Sequence, residues 1–235
     1  MLGTIINIIS IVVGGIIGMT FGKHLPQKFH QTVLVCMGLF TGVIGIQMFF
    51  KTENSIIVLG GLLIGSLLGE WWRMEDGLKA LGFWMEEKFT KTEQPNSEDS
   101  LFVKGFLTAS LLFIIGPIAI LGPIQDGISG DYSLLVIKSV LDGFASLAFS
   151  STLGIGVLFS AIPLLIYQGS ITLLAEQAQR FITPIMMNEM TATGGVLLVA
   201  IAISNLLQIK HIRVGNILPA LAISPLIVYI LSLLK

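Results

Sequence analysis

Charge is what this sequence has least of. Asp, Glu, Lys and Arg make up 11% of the 235 residues, where a soluble domain carries about 25%. Hydrophobic residues reach 54% and mean hydropathy is +0.89, so a soluble globular domain is excluded and an integral membrane protein is expected. Cysteine is nearly absent: Cys36 is the single one and lies in an apolar segment. Neither an intrachain disulfide nor a thiolate zinc site can therefore form within one subunit. Net charge is −1, and no basic excess or interleaving of aromatic and basic residues marks a nucleic-acid partner. The three histidines, His24, His30 and His211, are scattered through predicted cytoplasmic loops without metal-ligand spacing and read as solvated. Catalytic signatures are missing too: no HExxH, Walker A, GxSxG, or strand-flanked GxGxxG occurs. A serine–lysine nucleophile can be drawn near Lys138, but no oxyanion-hole signal accompanies it. The expectation is a protein that is not an enzyme and takes no cofactor.

What the chain has in abundance is apolar stretches about 20 residues long, the length needed to cross hydrocarbon as a helix. They fall at 3–21, 31–50, 55–73, 103–123, 132–152, 154–174, 191–208 and 215–234, which predicts an all-α membrane protein with eight spans. A re-entrant or kinked segment in the 103–174 region reduces the count to seven. The first stretch has no basic n-region ahead of it and reads as a retained span. No lipidation motif is found, so the chain is expected to span the bilayer rather than be anchored to it.

Loop charge orients the spans, because Lys and Arg concentrate in short cytoplasmic connections. With eight spans, Lys23, Lys28, Arg73, Lys79, Lys88, Lys91, Lys104, Lys210 and Arg213 share one side. Lys51, Arg180 and Lys235 fall on the other, and Lys138 is in the membrane. Both termini are then outside the cytoplasm and the 74–102 connection is inside. Its first part, Met74–Phe89, gathers Leu78, Leu81, Trp84, Met85 and Phe89 near one face and reads as an interfacial amphipathic helix next to Trp71 and Trp72. Thr90–Ser100 is polar and aperiodic, a solvated linker.

Weak self-similarity divides the chain further. Leu34–Met48 resembles Leu135–Phe149 in its small residues, and GSLLGEWWRMEDGL from Gly65 resembles GSITLLAEQAQRF from Gly169. The expected organisation is a first repeat over 1–89, a linker over 90–102, a second repeat over 103–190 and two C-terminal spans over 191–235. Three spans per repeat invert the second copy, an arrangement that recurs in secondary transporters with sites near the midplane. The alternative is that Gly-rich apolar helices simply look alike. Glycines spaced by four, at 14, 18 and 22 and again at 61, 65 and 69, with Gly38 and Gly42 between, predict close backbone packing within the subunit or across a dimer.

The chemistry must lie in the few polar residues inside these spans. Lys138 and Asp142 stand one turn apart in Tyr132–Thr152, where a charge at the centre of a span costs about 2.5–3.5 kcal/mol on insertion scales. Ser139, Asp142, Ser146 and Ser150 share a face of that helix, with Ser151 beside them. Such a stripe can supply oxygen ligands to a cation or relay protons; equally, Lys138 and Asp142 can form a self-satisfied pair that orders packing. Ile115–Asp131 contains Gly-Pro at 116–117 and 122–123, which predicts a break whose carbonyls, with Gln125 and Asp126, could bind a cation or polar solute. An ordinary extracellular turn is the other reading. Asn7 and Ser10 with Gln47 form a third group, and Tyr167, Gln168, Asn188, Glu189 and Asn205 a fourth, each individually consistent with an interhelical hydrogen bond.

The run GPIAILGPIQDGISGDYSLLVIKSVLDGFASLAFSSTLGIGVLFSAIPLLIYQG, with MLGTIINIISIVVGGIIG at the start, resembles the bacterial inner-membrane family known as domain of unknown function 554. Its strongest parts are Gln125-Asp126-Gly127, Lys138-Ser139, Leu141-Asp142-Gly143 and Tyr167-Gln168-Gly169. The resemblance covers essentially the whole chain and implies a multi-spanning bacterial inner-membrane protein of transport-type architecture. It supplies no substrate. The reading is a small secondary transporter or ion-translocating protein, a homodimer in the lipid bilayer. Its ligand is a monovalent cation, a proton or a small polar solute, bound by Asp142, Lys138, Ser139, Ser146, Ser150, Asp126, Gln125, Gln168, Asn7 and Asn205. The competing reading is a structural or assembly membrane protein whose polar core is internally paired.

Overall fold

A computed structural model describes residues 1–22, 26–90 and 100–233. Lys23, His24, Lys91, Lys235 and most of the expected polar linker lie outside the described residues. Among the described residues the fold is helical with no strand. In chain order the helices are α1 (Leu2–Gly22), α2 (Gln27–Phe49), α3 (Ser55–Trp72), α4 (Met74–Phe89), α5 (Leu101–Ile114) and α6 (Ile118–Ser129). They continue with α7 (Ser133–Leu153), α8 (Gly156–Phe159), α9 (Ala161–Leu173), α10 (Ala175–Phe181), α11 (Pro184–Ile201) and α12 (Ala220–Leu233). A π-helical turn, Ala202–Leu206, extends α11, and a 3-10 turn, Val214–Ile217, precedes α12.

Two compact units are formed. The first joins Met1–Val35, Leu78–Ile114 and Ile118–Arg180; the second joins Cys36–Gly77, Ile115–Pro117 and Phe181–Lys235. They cut across the division at 89 and 102 expected from the sequence, because each takes helices from both the first and the second half of the chain. In the first unit Met85 of α4 packs on Phe102, Val103 and Phe106 of α5, while Leu81, Trp84 and Phe89 stay exposed. The amphipathic helix expected at 74–89 is thus present with the predicted limits.

The glycine stripes explain how each unit is held. A Cβ on Gly14, Gly18 or Gly22 of α1 would stand 2.2, 2.1 or 2.4 Å from the carbonyl oxygens of Gly143, Leu147 and Ser151 on α7. In the second unit a Cβ on Gly61, Gly65 or Gly69 of α3 would stand 2.0, 2.4 or 1.9 Å from Ser224 Oγ, Ala220 and the Asn216 oxygen. Lipid offers apolar side chains as good an environment as protein does, so close backbone approach supplies the packing attraction instead. Both stripes are used inside the subunit.

These contacts also fix the span count. Residue numbers rise together along α1 and α7, so that pair is parallel; they run oppositely along α3 and α12, and along α2 and α11, where Gly45 meets Gly195 and Gly38 meets Leu207. Seven helical stretches are long and apolar enough to cross a membrane, and α5 with α6 forms an additional pair bent by 61°. If α5–α6 dipped in and returned, α7 would be the fourth crossing, opposite to α1, and α12 the seventh, parallel to α3. The observed directions are the reverse, so α5–α6 crosses as one broken span and the total is eight.

The break falls at the first of the two Gly-Pro pairs and is narrower than the 115–131 region that the sequence marked. Helix is lost only at Ile115–Pro117, where Gly116 adopts φ 143°, a conformation open to glycine. Pro123 then sits inside α6, where a missing N–H removes one ladder bond without ending the helix. A second correction concerns α11, which starts at Pro184, seven residues before the expected 191, because Thr183 accepts a hydrogen bond from the Met186 N–H and Pro184 takes the first helical position. Asn188 and Glu189, expected just before the seventh span, therefore lie within its helix. His30, expected in a loop, lies in α2 and its Nε2 is 3.1 Å from the Gly22 carbonyl.

Candidate functional site

Asp142 is the tenth of the 21 residues of α7, and Lys138 precedes it by one turn. Both are buried in the first unit, at 8% and 7% exposure, and the Lys138 ammonium donates directly to Asp142 Oδ2. Lys138 Nζ also lies 5.9 Å from the centre of the Phe113 ring on α5, within range for a cation–π attraction. A lone carboxylate or ammonium at this position would be held against a large desolvation cost; together they form a neutral pair.

Two buried amides complete the cluster. Asn7 on α1 donates from Nδ2 to Asp142 Oδ2 at 3.0 Å and to Gln168 Oε1 on α9 at 3.4 Å. The carboxylate can be met only by the NH2 end of Asn7, and that NH2 can be met only by the oxygen of Gln168. Both amide orientations follow from the charge on Asp142. Asn7 Oδ1 and Gln168 Nε2 are then left buried with no hydrogen-bond partner among the described residues. An unmet buried polar atom costs about 1–3 kcal/mol, so these two atoms mark where the protein has not satisfied itself.

The serine stripe faces inward but serves the backbone. Ser139 Oγ donates to the Leu135 carbonyl at 2.6 Å, and Ser146 Oγ to the Ile11 carbonyl of α1 at 2.7 Å. Ser10 Oγ reciprocates, donating to the Ser139 carbonyl at 2.6 Å. The Ser146 and Ser10 hydroxyls lock α1 to α7, while that of Ser139 stays within α7. Ser150 Oγ, Thr4 Oγ1 and Ser110 Oγ, by contrast, are buried without a partner among the described residues.

Asp126 and Gln125 do not form a broken-helix site, because both lie within α6. Asp126 is buried and accepts the Gly3 N–H at 3.1 Å and the Met1 amino group at 2.8 Å, holding the first turn of α1. Gln125 turns away to donate to Asp131 at 2.6 Å in an exposed contact. Asn205 belongs to the π-helical turn of the second unit, and Gln47 is exposed on α2. Asp142, Lys138, Asn7 and Gln168 are the predicted residues that meet.

In the second unit the buried Glu189 is matched differently. Its Oε2 accepts the Thr52 hydroxyl at 2.6 Å, and its Oε1 accepts the Glu53 and Asn54 N–H groups at 2.8 and 3.1 Å. It closes the α2–α3 turn. Sequence reasoning did not connect Asn7 to Asp142 or find Phe113. The sequence did show that Asn7 shares a helix face with Ile11, Gly14 and Gly18, the face of the glycine stripe, but not which helix that face meets. Asp131, outside the spans, has its carboxyl held below 3.8, first by the Ser133 hydroxyl and then by the Ser133 N–H.

Two relatives align with nearly the entire chain. An "Uncharacterized membrane protein YdfK" of Bacillus subtilis (strain 168) is 33% identical over 98% of this chain and 97% of its own. An "Uncharacterized protein YqgA" of Escherichia coli (strain K12) is 31% identical over 95% of this chain and 94% of its own. No solved structure matches. The family model described as "Protein of unknown function (DUF554)" matches residues 2–229, and together with the apolar helices that cross the bilayer these likenesses make the chain a multi-pass membrane protein of the DUF554 family.

Proposed function

We propose that the protein moves a small solute or ion across the bacterial inner membrane, using the cluster of Lys138, Asp142, Asn7 and Gln168. The observation that carries this reading is the pair of fully buried, unmet amide atoms, Asn7 Oδ1 and Gln168 Nε2, beside an ion pair in the middle of a spanning helix. A purely structural polar core pairs nearly all of its buried groups, whereas here two adjoining amides each leave an atom unmet. The specific observation on the side of the structural reading is that Lys138 and Asp142 already bond each other. That pair is made of side chains, which can part and re-form without unwinding a helix.

In this reading the broken α5–α6 span is a place where α5 and α6 change their angle, and Asp126 clamps the start of α1 in the state seen here. The two groups of three crossings followed by a short helix, α1–α4 and α5–α10, are taken as an inverted repeat. Both termini face away from the cytoplasm, on the loop charges. A homodimer would form through α2, the least buried of the seven candidate spans at 17%, since the glycine stripes are used internally. No catalysis is assigned.

The test is uptake into proteoliposomes, or current on a solid-supported membrane, across a panel of cations and small polar solutes. Wild type is compared with Asp142→Asn and Lys138→Met. Solute-dependent transport that is lost in both variants supports the reading. No transport of any member of the panel, or transport unchanged in both variants, overturns it.

A further inference from the structure

The four side chains of the site supply both donors and acceptors and together carry no net charge. We infer that the ligand is a small zwitterion bearing an ammonium and a carboxylate on one carbon atom, the chemical class of the α-amino acids. The inference rests on the transport reading and narrows it.

Charge balance comes first. A bare monovalent cation drawn to Asp142 would strand the Lys138 ammonium in the membrane interior, and a bare anion drawn to Lys138 would strand Asp142. A zwitterion placed between them replaces one ion pair by two and leaves the site neutral. Hydrogen bonding points the same way. Both donors to Asp142, from Lys138 and Asn7, reach the same oxygen, Oδ2, so the carboxylate has further acceptor capacity. Asn7 Oδ1 is an unmet acceptor and Gln168 Nε2 an unmet donor. The ligand ammonium matches Asp142 and Asn7 Oδ1; the ligand carboxylate matches Lys138 and Gln168 Nε2. A neutral amide such as urea could meet the two amides but has no use for the two charges.

Size follows from the packing next to Asp142. Gly143 leaves only enough room that an added Cβ would lie 2.4 Å from Ser10 Oγ, and a Cβ on Gly14 would lie 2.2 Å from the Gly143 oxygen. Phe113 covers the Lys138 side. With α1 and α7 in backbone contact here, the helices must part to admit a ligand, and a small zwitterion such as glycine, alanine or serine asks for less movement than one with a bulky side chain.

The experiment uses the full chain in proteoliposomes with labelled glycine, L-alanine and L-serine. The comparison probes are methylammonium and ethylammonium, acetate and propionate, urea, and Na+ and K+ currents. The expected result is saturable uptake of at least one zwitterion, with neither half-molecule carried nor competing at about tenfold excess, since a site built to bind both groups rejects an analogue lacking one. Gln168→Leu should raise KM about tenfold, the equivalent of one lost hydrogen bond. The double variant Lys138→Gln/Asp142→Asn keeps the site neutral, so it is expected to fold even where a single change does not, and to carry no zwitterion. Transport of a cation, an anion or urea with all three zwitterions ignored overturns this inference and leaves the transport reading standing. Zwitterion uptake by the double variant at the wild-type rate overturns the site. No transport of any probe overturns both readings.

Discussion

Asp142 in the first unit and Glu189 in the second are both buried carboxylates on apolar helices, yet their charges are met by different means. Glu189 takes a hydroxyl and two backbone N–H groups from the turn before α3. Asp142 takes two side chains, one of them a cation. Position along the chain explains the difference. A turn leading into a helix has N–H groups that no carbonyl of that helix can accept, and Glu189 is close to such a turn. In the middle of α7 and its neighbours every N–H is committed to its own ladder, so Asp142 can be stabilised only by side chains. Asp126, accepting the Gly3 N–H at the start of α1, and Glu75, accepting the Gly215 N–H at the 3-10 turn, follow the pattern of Glu189. Backbone compensation is fixed; side-chain compensation is exchangeable, and that is why the proposed function is placed in the first unit.

The sharpest way to break this comparison is to remove the cation. Lys138→Met leaves Asp142 buried with only Asn7, and losing one partner of a buried pair costs about 3–5 kcal/mol. Adding Asp142→Asn should return most of that loss, because the remaining groups are neutral. Reversible unfolding in mixed micelles measures both. A double variant no more stable than Lys138→Met would mean that the pair does not compensate Asp142's charge.

Next come changes that should affect both units alike. Gly18→Ala on α1 and Gly69→Ala on α3 each push a methyl group against a backbone oxygen, at 2.1 and 1.9 Å. Overpacking costs about 1–3 kcal/mol, occasionally more, and a rigid backbone neighbour puts both at the top of that range. Gly77→Ala is the control: it meets nothing within 4 Å and should stabilise α4 by up to about 1 kcal/mol. Equal losses at 18 and 69 in a folding assay would confine the difference between the units to their polar groups; a loss at only one would mean that their packing differs too.

Glu189→Gln is expected to cost less than Lys138→Met, about 1–3 kcal/mol, since an amide keeps one acceptor but faces three donors with it. Thr52→Val, removing the hydroxyl, should cost about 1 kcal/mol. If Glu189→Gln were as damaging as Lys138→Met in the same micelles, the contrast between backbone and side-chain compensation would fail.

Much of this was legible in the sequence, and the misses have a common cause. Hydropathy located the spans, i,i+4 spacing located the Lys138–Asp142 pair, and glycine spacing announced close backbone packing without naming the partner helices, because each of these signals is local. Partners more than a hundred residues away are not. Asn7 meets Asp142 across 135 positions, and nothing in either segment names the other. Gln125 and Asp126 were misread because two Gly-Pro pairs look equivalent in sequence. Only the first, with Gly116 at positive φ, breaks the helix; Pro123 is carried within α6.

The smallest expected effect separates location in the chain from location in a unit. Asp131 belongs to the first unit, as Asp142 does, but sits in the connection between α6 and α7 and is met as Glu189 is, by hydroxyl and N–H. Ser133 Oγ and the Ser133 N–H both donate to its Oδ1, the latter at 3.0 Å, and Gln125 to its Oδ2. These bonds favour the ionised form, the Ser133 hydroxyl most of all, and hold the carboxyl below 3.8. A carboxyl lowered on folding stabilises the fold above its unfolded pKa, and that contribution disappears as pH falls through the folded value. Full exposure to solvent makes the contribution too small to matter for stability. Ser133→Ala should therefore move the Asp131 titration upward, towards 3.8, with no change in unfolding. Carboxyl-carbon NMR of the labelled protein in micelles follows it directly. A titration that stays in place would show that the hydroxyl is not the cause, and the rule that chain turns compensate carboxylates with their own donors would then lose a member that lies outside the spans.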